Sequence, residues 1–366
     1  MPVHPAGGYK VVYEYANRLA NDGFSIRIAY AGTVFFKQRT FIGKIKSIIK
    51  YAYFKATGNK HFAHWMNLNS NIEEYLVPSL DFKHMKPSDY YVATAVQTAE
   101  YLNAFPVPNK CKLYLIQDFE DWFVTKEAVY KTYSYGMKNI VISNWLKNIV
   151  EKSGNNCTLI PNGFDFNFFK QTIDIKDKER YTISMLYHHD FRKGCKYGIE
   201  ALIKLKEKYP QLNAILFGVP SRPKNLPSWI EYYQQPDKDT HNLIYNRSSI
   251  FLAPSLAEGW GLTVGEAMIC GCTIVCTDAD GFLEMIKDNI NGLVCKKEDS
   301  DDLVSKIEAL FIDDKLRISL AEKSSTSIRK FSWDKSYLIL KGLITEISSD
   351  TSATAEIASS NTKKSK

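Results

Sequence analysis

The stretch PSLAEGWGLTVGEAM, residues 254–268, decides how this chain is read. It sets two carboxylates, Glu258 and Glu266, on either side of a glycine-rich turn. The preceding run SIFLAPS (249–255) has the short apolar character of a buried strand. Glu258, Gly259, Trp260 and Gly261 therefore fall on the loop at its carboxyl end, and a helix starts at Leu262. Glycines there let backbone N–H groups approach a ligand closely. The helix start around Gly261, Leu262 and Thr263 offers unpaired donors and the positive end of a dipole, which together suit phosphate. A carboxylate aimed at phosphate would repel it, so Glu258 must address something else, and sugar hydroxyls are the natural donors. Glu266, one turn into the helix, is placed to reach a ribose. Carboxylate, phosphate cradle, carboxylate thus matches sugar, diphosphate, ribose. The alternative is a helix-capping Glu followed by a solvated Glu, and spacing alone leaves both open.

Outward from this stretch, helices and strands alternate. Residues 9–22 read as a helix and FSIRIAY (24–30) as a strand. DYYVATA (89–95), KLYLIQD (112–118), NIVIS (139–143) and CTLIP (157–161) are further short strands. YTISMLYHH (181–189), NAILFG (213–218), TIVCT (273–277) and GLVC (292–295) repeat the theme, with amphipathic helices such as KYGIEALIKLKEKY (196–209) between them. Near-continuous apolar strands separated by helices predict α/β architecture with parallel sheets covered on both faces. Two such series predict two doubly wound, Rossmann-like domains: 1–165, then 166–330, with the join near the polar stretch 165–178. A helix over 331–347 is expected to return to the first domain. Residues 348–366 are small, polar and predicted to be disordered.

The 366 residues suit two domains. Forty-seven Lys and Arg against 40 Asp and Glu leave a net charge of +7, which points to an anionic partner. Composition leaves nucleic acid, phosphorylated ligands and acidic lipid open. Seven scattered cysteines form no Cys-x-x-Cys pair and read as reduced thiols of a cytoplasmic protein. His61 and His64 lack partners for a metal site, and no Asp-x-Asp metal motif, Gly-x-Ser-x-Gly elbow or Walker loop is present.

The opening stretch resembles the E-x7-E signature of retaining glycosyltransferases of family 4, which have the GT-B fold. EGWGLTVGEAM is followed by CGCTIVCTDADGFLEMI (270–286) and NGLV (291–294), and preceded by ISNWLKNIV (142–150), LIPNGFDFNFF (159–169) and RKG (192–194), all in the family's order. The resemblance runs from about residue 140 to 340, with Thr273 where the family commonly has proline. It implies two Rossmann-like domains facing a cleft. It also implies Glu258 on the donor sugar, Glu266 on the nucleotide ribose, and the backbone of Gly259 to Thr263 on the diphosphate. Arg192 and Lys193 would neutralise the leaving diphosphate without a metal or other cofactor.

In the amino-terminal half the family places an apolar strand before a glycine-rich loop. This chain begins MPVHPAGG, so Gly7 and Gly8 open the first helix with no such strand ahead of them. YLIQDFEDWF (114–123) resembles a subgroup that includes bacterial rhamnosyltransferases of surface polysaccharide synthesis. Asp118 and Glu120 are candidates for acceptor binding or proton acceptance. The competing reading is a helix amino terminus with favourable acids, ahead of DWFVTKEAVY. FIGKIKSIIKYAYFK (41–55) predicts a basic amphipathic helix, which either packs on the first sheet or meets anionic membrane. His188-His189-Asp190 is expected to pack or to bond the donor. The expected activity is sugar transfer from a nucleotide-sugar to a glycan acceptor, a lipid-linked surface polysaccharide intermediate, with no nucleic acid involved. The rivals are a GT-B nucleotide-sugar epimerase and a non-catalytic sugar-binding scaffold.

Overall fold

The structure is a computed structural model that describes residues 5–32, 41–57, 63–122 and 124–347. The tail expected at 348–366 and His61 lie outside the described residues. In chain order the strands are β1 (Arg27–Ala31), β2 (Glu73–Val77), β3 (Tyr91–Ala93), β4 (Lys112–Ile116), β5 (Lys138–Val141), β6 (Cys157–Leu159), β7 (Thr182–Leu186), β8 (Asn213–Gly218), β9 (Ile230–Gln234), β10 (Ile250–Ala253), β11 (Thr273–Thr277) and β12 (Leu293–Cys295). The helices are α1 (Gly7–Asn21), α2 (Phe41–Ala56), α3 (Val96–Asn103), α4 (Lys126–Tyr133), α5 (Asn144–Lys152), α6 (Cys195–Lys208), α7 (Lys238–Arg247), α8 (Leu262–Ile269), α9 (Asp280–Leu283), α10 (Ser300–Ile312) and α11 (Asp314–Ser327). A last helix, α12, covers 333–347. The chain divides into two compact units: one reaches Pro161 and resumes at Trp333, the other is Asn162–Ser332.

Every strand pairing is parallel, as expected of strands joined through helices. In the second unit six strands run in the order β12-β11-β10-β7-β8-β9. β10 and β11 are buried along their whole length, which explains their unbroken apolar sequence. One face packs on α6 and α10 through Ile183, Met185, Leu216 and Leu252 against Leu202, Leu205, Leu303 and Ile307. Strand order reverses between β7 and β10. In open parallel sheets the loops leaving the carboxyl ends of such a pair part in opposite directions and leave a crevice. The polar stretch after Asn162 belongs to this unit, where Phe164, Phe169 and Ile175 are buried.

Among the described residues the first unit carries its strands as a pair, β1-β2, and a sheet of four, β3-β4-β5-β6. Its first described element is α1, with no strand before it among the described residues. α1 packs Tyr13, Ala16 and Ala20 around β1, and the Tyr13 and Tyr30 hydroxyls meet at 2.9 Å. The apolar spacing of α12 puts Trp333, Tyr337, Leu340, Ile344 and Ile347 on one buried face. Trp333 meets the Tyr15 ring edge-on at 5.5 Å, and Asp22 accepts from the Tyr337 hydroxyl at 2.6 Å and pairs with Lys341 at 2.7 Å. All seven cysteines are free thiols, five of them buried.

Candidate active site

In the second unit the loops after β7 and β10 dock on one another at the strand-order reversal. Asp190 starts the first loop by accepting from the Arg192 N–H at 3.0 Å, which winds Phe191–Lys193 into one tight turn. Gly194 follows at φ +59°, so close to the second loop that a β-carbon would overlap the Pro254 carbonyl oxygen. The Arg192 carbonyl then accepts from the Leu256 N–H at 2.6 Å. This docking brings Lys193 Nζ to 2.7 Å from Glu258 Oε1, an oxygen that also accepts from the Ser255 hydroxyl at 2.9 Å. Both side chains are part-buried, which weakens the screening of the pair by salt. Lys193, Ser255, Glu258 and Thr263 line one small recess floored by Leu186 and Phe282.

The glycine-rich turn is required by geometry. Gly261 takes φ +96°, where side chains are strained, and a β-carbon there would meet the Phe282 ring at 2.7 Å. It opens α8, and the N–H groups of Leu262 and Thr263 in the first turn have no acceptor within the helix. The Trp260 indole is buried edge-on against Phe331 at 5.0 Å. Glu266 is 4 % exposed, and its Oε2 accepts from the Tyr245 hydroxyl at 3.2 Å. The reading of Glu266 as a solvated acid is therefore corrected: it is buried with its neighbours Val264–Ile269 of α8. Tyr245→Phe removes a donor from a buried carboxylate, and urea denaturation is expected to show a loss of about 1–3 kcal/mol.

Arg192 and Lys193 do not form a bare cationic dyad. The Arg192 guanidinium is forked onto Asp190, with Nε at 3.1 Å from both carboxylate oxygens. That guanidinium holds the Asp190 carboxyl below its ordinary range. Sequence reading gave too little weight to His188, which sits just past β7. The Asp190 N–H donates to its Nδ1 at 2.9 Å, so the ring is an acceptor there and carries its proton on Nε2. Burial, and then the Lys193 charge, push the His188 pKa down. A lowered histidine pKa means the folded chain binds a proton less readily than the unfolded one. The stability His188 contributes is thus complete above about pH 6.5 and is lost as pH falls through its folded pKa. An NMR titration of His188 is expected to give a midpoint below 6.5. Thr273, the departure from proline, uses its N–H on Ser249 O at 2.9 Å and its hydroxyl on Arg317 O at 2.8 Å.

In the first unit Gly7 and Gly8 open α1, and Gly8 lies against the Gln117 amide at the carboxyl end of β4. Gln117 Nε2 reaches the Thr94 carbonyl at 3.4 Å. Asp118 Oδ1 accepts from the Phe119 N–H at 2.9 Å. Glu120 does serve a helix amino terminus, but not of the helix that follows: its Oε2 accepts from the Val96 N–H of α3 at 2.6 Å. α4 starts only at Lys126, with Thr125 as its cap. Among the described residues no cluster of three His, Cys, Asp or Glu side chains is arranged to hold a metal ion.

Residues 165–326 match the family model described as glycosyl transferases group 1. The chain is 25 % identical over 194 residues to a phosphatidyl-myo-inositol mannosyltransferase of Mycolicibacterium smegmatis, covering 50 % of each chain. It is 29 % identical over 202 residues to the N,N'-diacetylbacillosaminyl-diphospho-undecaprenol alpha-1,3-N-acetylgalactosaminyltransferase of Campylobacter jejuni, covering 50 % of this chain and 52 % of that one. The chain thus spans about half the length of the curated relatives it matches. Among solved structures, the sucrose-phosphate synthase of Thermosynechococcus elongatus superposes with a TM-score of 0.68 at 15 % identity over 94 % of each chain. HepE of Anabaena, in complex with UDP and glucose, gives 0.68 at 13 % identity over 94 % of this chain and 97 % of that one. The fold is α/β of the GT-B kind.

Proposed function

We propose that this chain, whose residues 165–326 match the group 1 glycosyl transferases, moves a sugar from a nucleoside diphosphate donor to a glycan acceptor, with retention at the anomeric carbon. The observation that carries the reading is the Lys193–Glu258 pair beside the amino end of α8, at the strand-order reversal of a parallel sheet. An ammonium has three donors, so Lys193 can hold Glu258 with one and a phosphate oxygen with another. The N–H groups of Leu262 and Thr263 take further phosphate oxygens. Glu258 accepts from sugar hydroxyls, and Glu266, braced by Tyr245, from the ribose. As the anomeric C–O bond to the diphosphate breaks, negative charge grows on an oxygen already faced by a cation and a helix dipole. Fixed donors and cations that meet charge as it develops are usually the strongest rate-enhancing device an enzyme site has. The acceptor hydroxyl bonds to the anomeric carbon from the face the diphosphate leaves, and its proton passes to the departing phosphate oxygen. No metal is called for.

The relatives' names supply the acceptor class: a phosphatidyl-inositol in one, a diphospho-undecaprenol in the other. A lipid-linked saccharide, as an intermediate of surface polysaccharide assembly, is the proposed acceptor, with the chain on the inner face of the membrane. Rhamnose is the donor sugar favoured by the YLIQDFEDWF resemblance, and Asp118 is the residue proposed to bind the acceptor. A thermal-shift panel of UDP, GDP, dTDP and their sugars tests the donor, since a ligand of the native state raises its apparent stability. Transfer of the best donor's labelled sugar to lipid-linked saccharides, run with and without EDTA, tests the reaction. Expected are one stabilising nucleotide, an α-linked product from an α-linked donor, and a rate indifferent to EDTA. No shift with any nucleotide would sink the donor reading. A free isomer formed without acceptor would point to an epimerase.

A further inference from the structure

Lys178 is buried, 4 % exposed, on the polar stretch that leads into β7. An ammonium taken out of water is costly unless each of its protons finds an acceptor. All three do. Nζ donates to the carbonyls of Tyr245 at 2.9 Å, Asn246 at 2.8 Å and Ser248 at 3.1 Å. Tyr245 and Asn246 belong to the last turn of α7, and Ser248 caps it. Carbonyls of a last turn lack the i+4 donor and form the negative end of the helix dipole, so a cation fits there. The Cys272 thiol meets two of the same carbonyls, Tyr245 O at 3.1 Å and Ser248 O at 3.3 Å.

The same stretch grips α7 a second time. The Asn246 side chain accepts from the Thr172 N–H at 2.6 Å and donates to Lys170 O at 3.0 Å. The carboxyl end of α7 is thus held by main chain and side chain together. What that end supports is Tyr245, which gives its carbonyl to Lys178 and its hydroxyl to Glu266 Oε2 at 3.2 Å. Its ring is packed among Phe169, Phe217, His241 and Phe251, with centroids 4.7 to 6.0 Å away. One enclosed tyrosine therefore joins a buried cation to a buried carboxylate as a rigid spacer.

We propose that Lys178 is a positioning residue for nucleotide recognition: it fixes the end of α7 so that Tyr245 presents Glu266 to the ribose hydroxyls. The inference rests on the reading of Glu266 as the ribose acceptor. Lys178 itself touches no ligand, and its role runs through Tyr245. A residue that served the fold alone would weaken binding of every nucleotide alike. A residue that sets the aim of Glu266 weakens only what the ribose hydroxyls contribute.

The test isolates those hydroxyls. UDP, GDP and dTDP are each compared with the 2′,3′-dideoxy counterpart by isothermal titration of the full chain. In the unaltered chain the preferred nucleotide is expected to bind roughly tenfold or more tighter than its dideoxy form, the scale of a hydrogen bond to a charged group. Glu266→Ala should bring that ratio near one. Lys178→Met should lower the ratio while leaving the affinity of the dideoxy form unchanged, and should lower it no further in the Glu266→Ala background. Tyr245→Phe leaves the lysine and its carbonyls in place and should lower the ratio as well. Lys178→Gln, which keeps two donors without the charge, replaces Lys178→Met if that variant does not fold by circular dichroism. Affinities for both forms that fall in parallel would make Lys178 a residue of the fold only and overturn the proposal. So would a ratio that the Lys178 or Tyr245 variants leave unchanged, or loss of the fold in both lysine variants. In each of those cases a ratio abolished by Glu266→Ala leaves the ribose reading standing. A ratio near one in the unaltered chain overturns both.

Discussion

Glu258→Gln is expected to lower kcat for sugar transfer by about two to three orders of magnitude, the scale found when one preorganised polar group is removed from a transition-state site. Glutamine keeps the shape and can still bond Ser255, but it withdraws the charge that holds Lys193 at 2.7 Å. Two effects then add. The sugar hydroxyls lose an ionic acceptor, and the ammonium loses the partner that fixes its rotamer beside the diphosphate. Nucleotide affinity should change little or rise, since Lys193 is left with a larger unbalanced charge for phosphate. Steady-state kinetics with the donor identified by thermal shift separates the two readouts. A kcat within threefold of the unaltered chain would remove Glu258 from the chemistry.

Gly194→Ala is expected to cost on the order of 3 kcal/mol of stability and to abolish turnover. Alanine at φ +59° carries the strain of the left-handed region, of order 1 kcal/mol. The larger part is steric. The new methyl overlaps a backbone carbonyl, that of Pro254, which has no rotamer by which to withdraw. Relief requires the two loops to separate, and the Arg192 carbonyl to Leu256 N–H bond is then the first to stretch. Because that contact also sets the distance from Lys193 to Glu258, stability and catalysis fall together. Urea titration and a transfer assay on one preparation check this. A stable but inactive protein would mean the loops part without loss of the fold.

The sheet of the second unit is legible in the sequence because burial on both faces writes itself as unbroken apolar runs: IFLA and TIVCT admit no other reading. β2 and β9 are illegible for the complementary reason. Both lie at sheet edges, and EEYLV and IEYYQ mix charge with aromatics so that neither alternation nor a run emerges. Around the site, the turn at Gly261 and the helix after it follow from local pattern. The ties of Arg192 to Asp190 and of Lys193 to Glu258 do not, since the second spans 65 residues and exists only once two loops have docked. For α2 the periodicity is plain in the sequence, but the side it turns outward, that of Ile45, Ile48, Ile49 and Tyr53, is not. An amphipathic pattern gives the stripe, and only the packing of Tyr51 and Phe54 gives its direction.

The return of α12 to the first unit bears on how the protein is made. Trp333, Tyr337 and Leu340 leave the ribosome only after the whole of Asn162–Ser332. At ordinary elongation rates that interval is roughly 10–35 s, long compared with the folding time of a small domain. Throughout it Tyr15 and Asp22 await their partners, and at its end the second unit has all of its own sequence while the first does not. Synthesis therefore completes the later unit first, and a chain terminated before Trp333 and released should present a protease-resistant Asn162–Ser332 beside a cleavable amino-terminal portion.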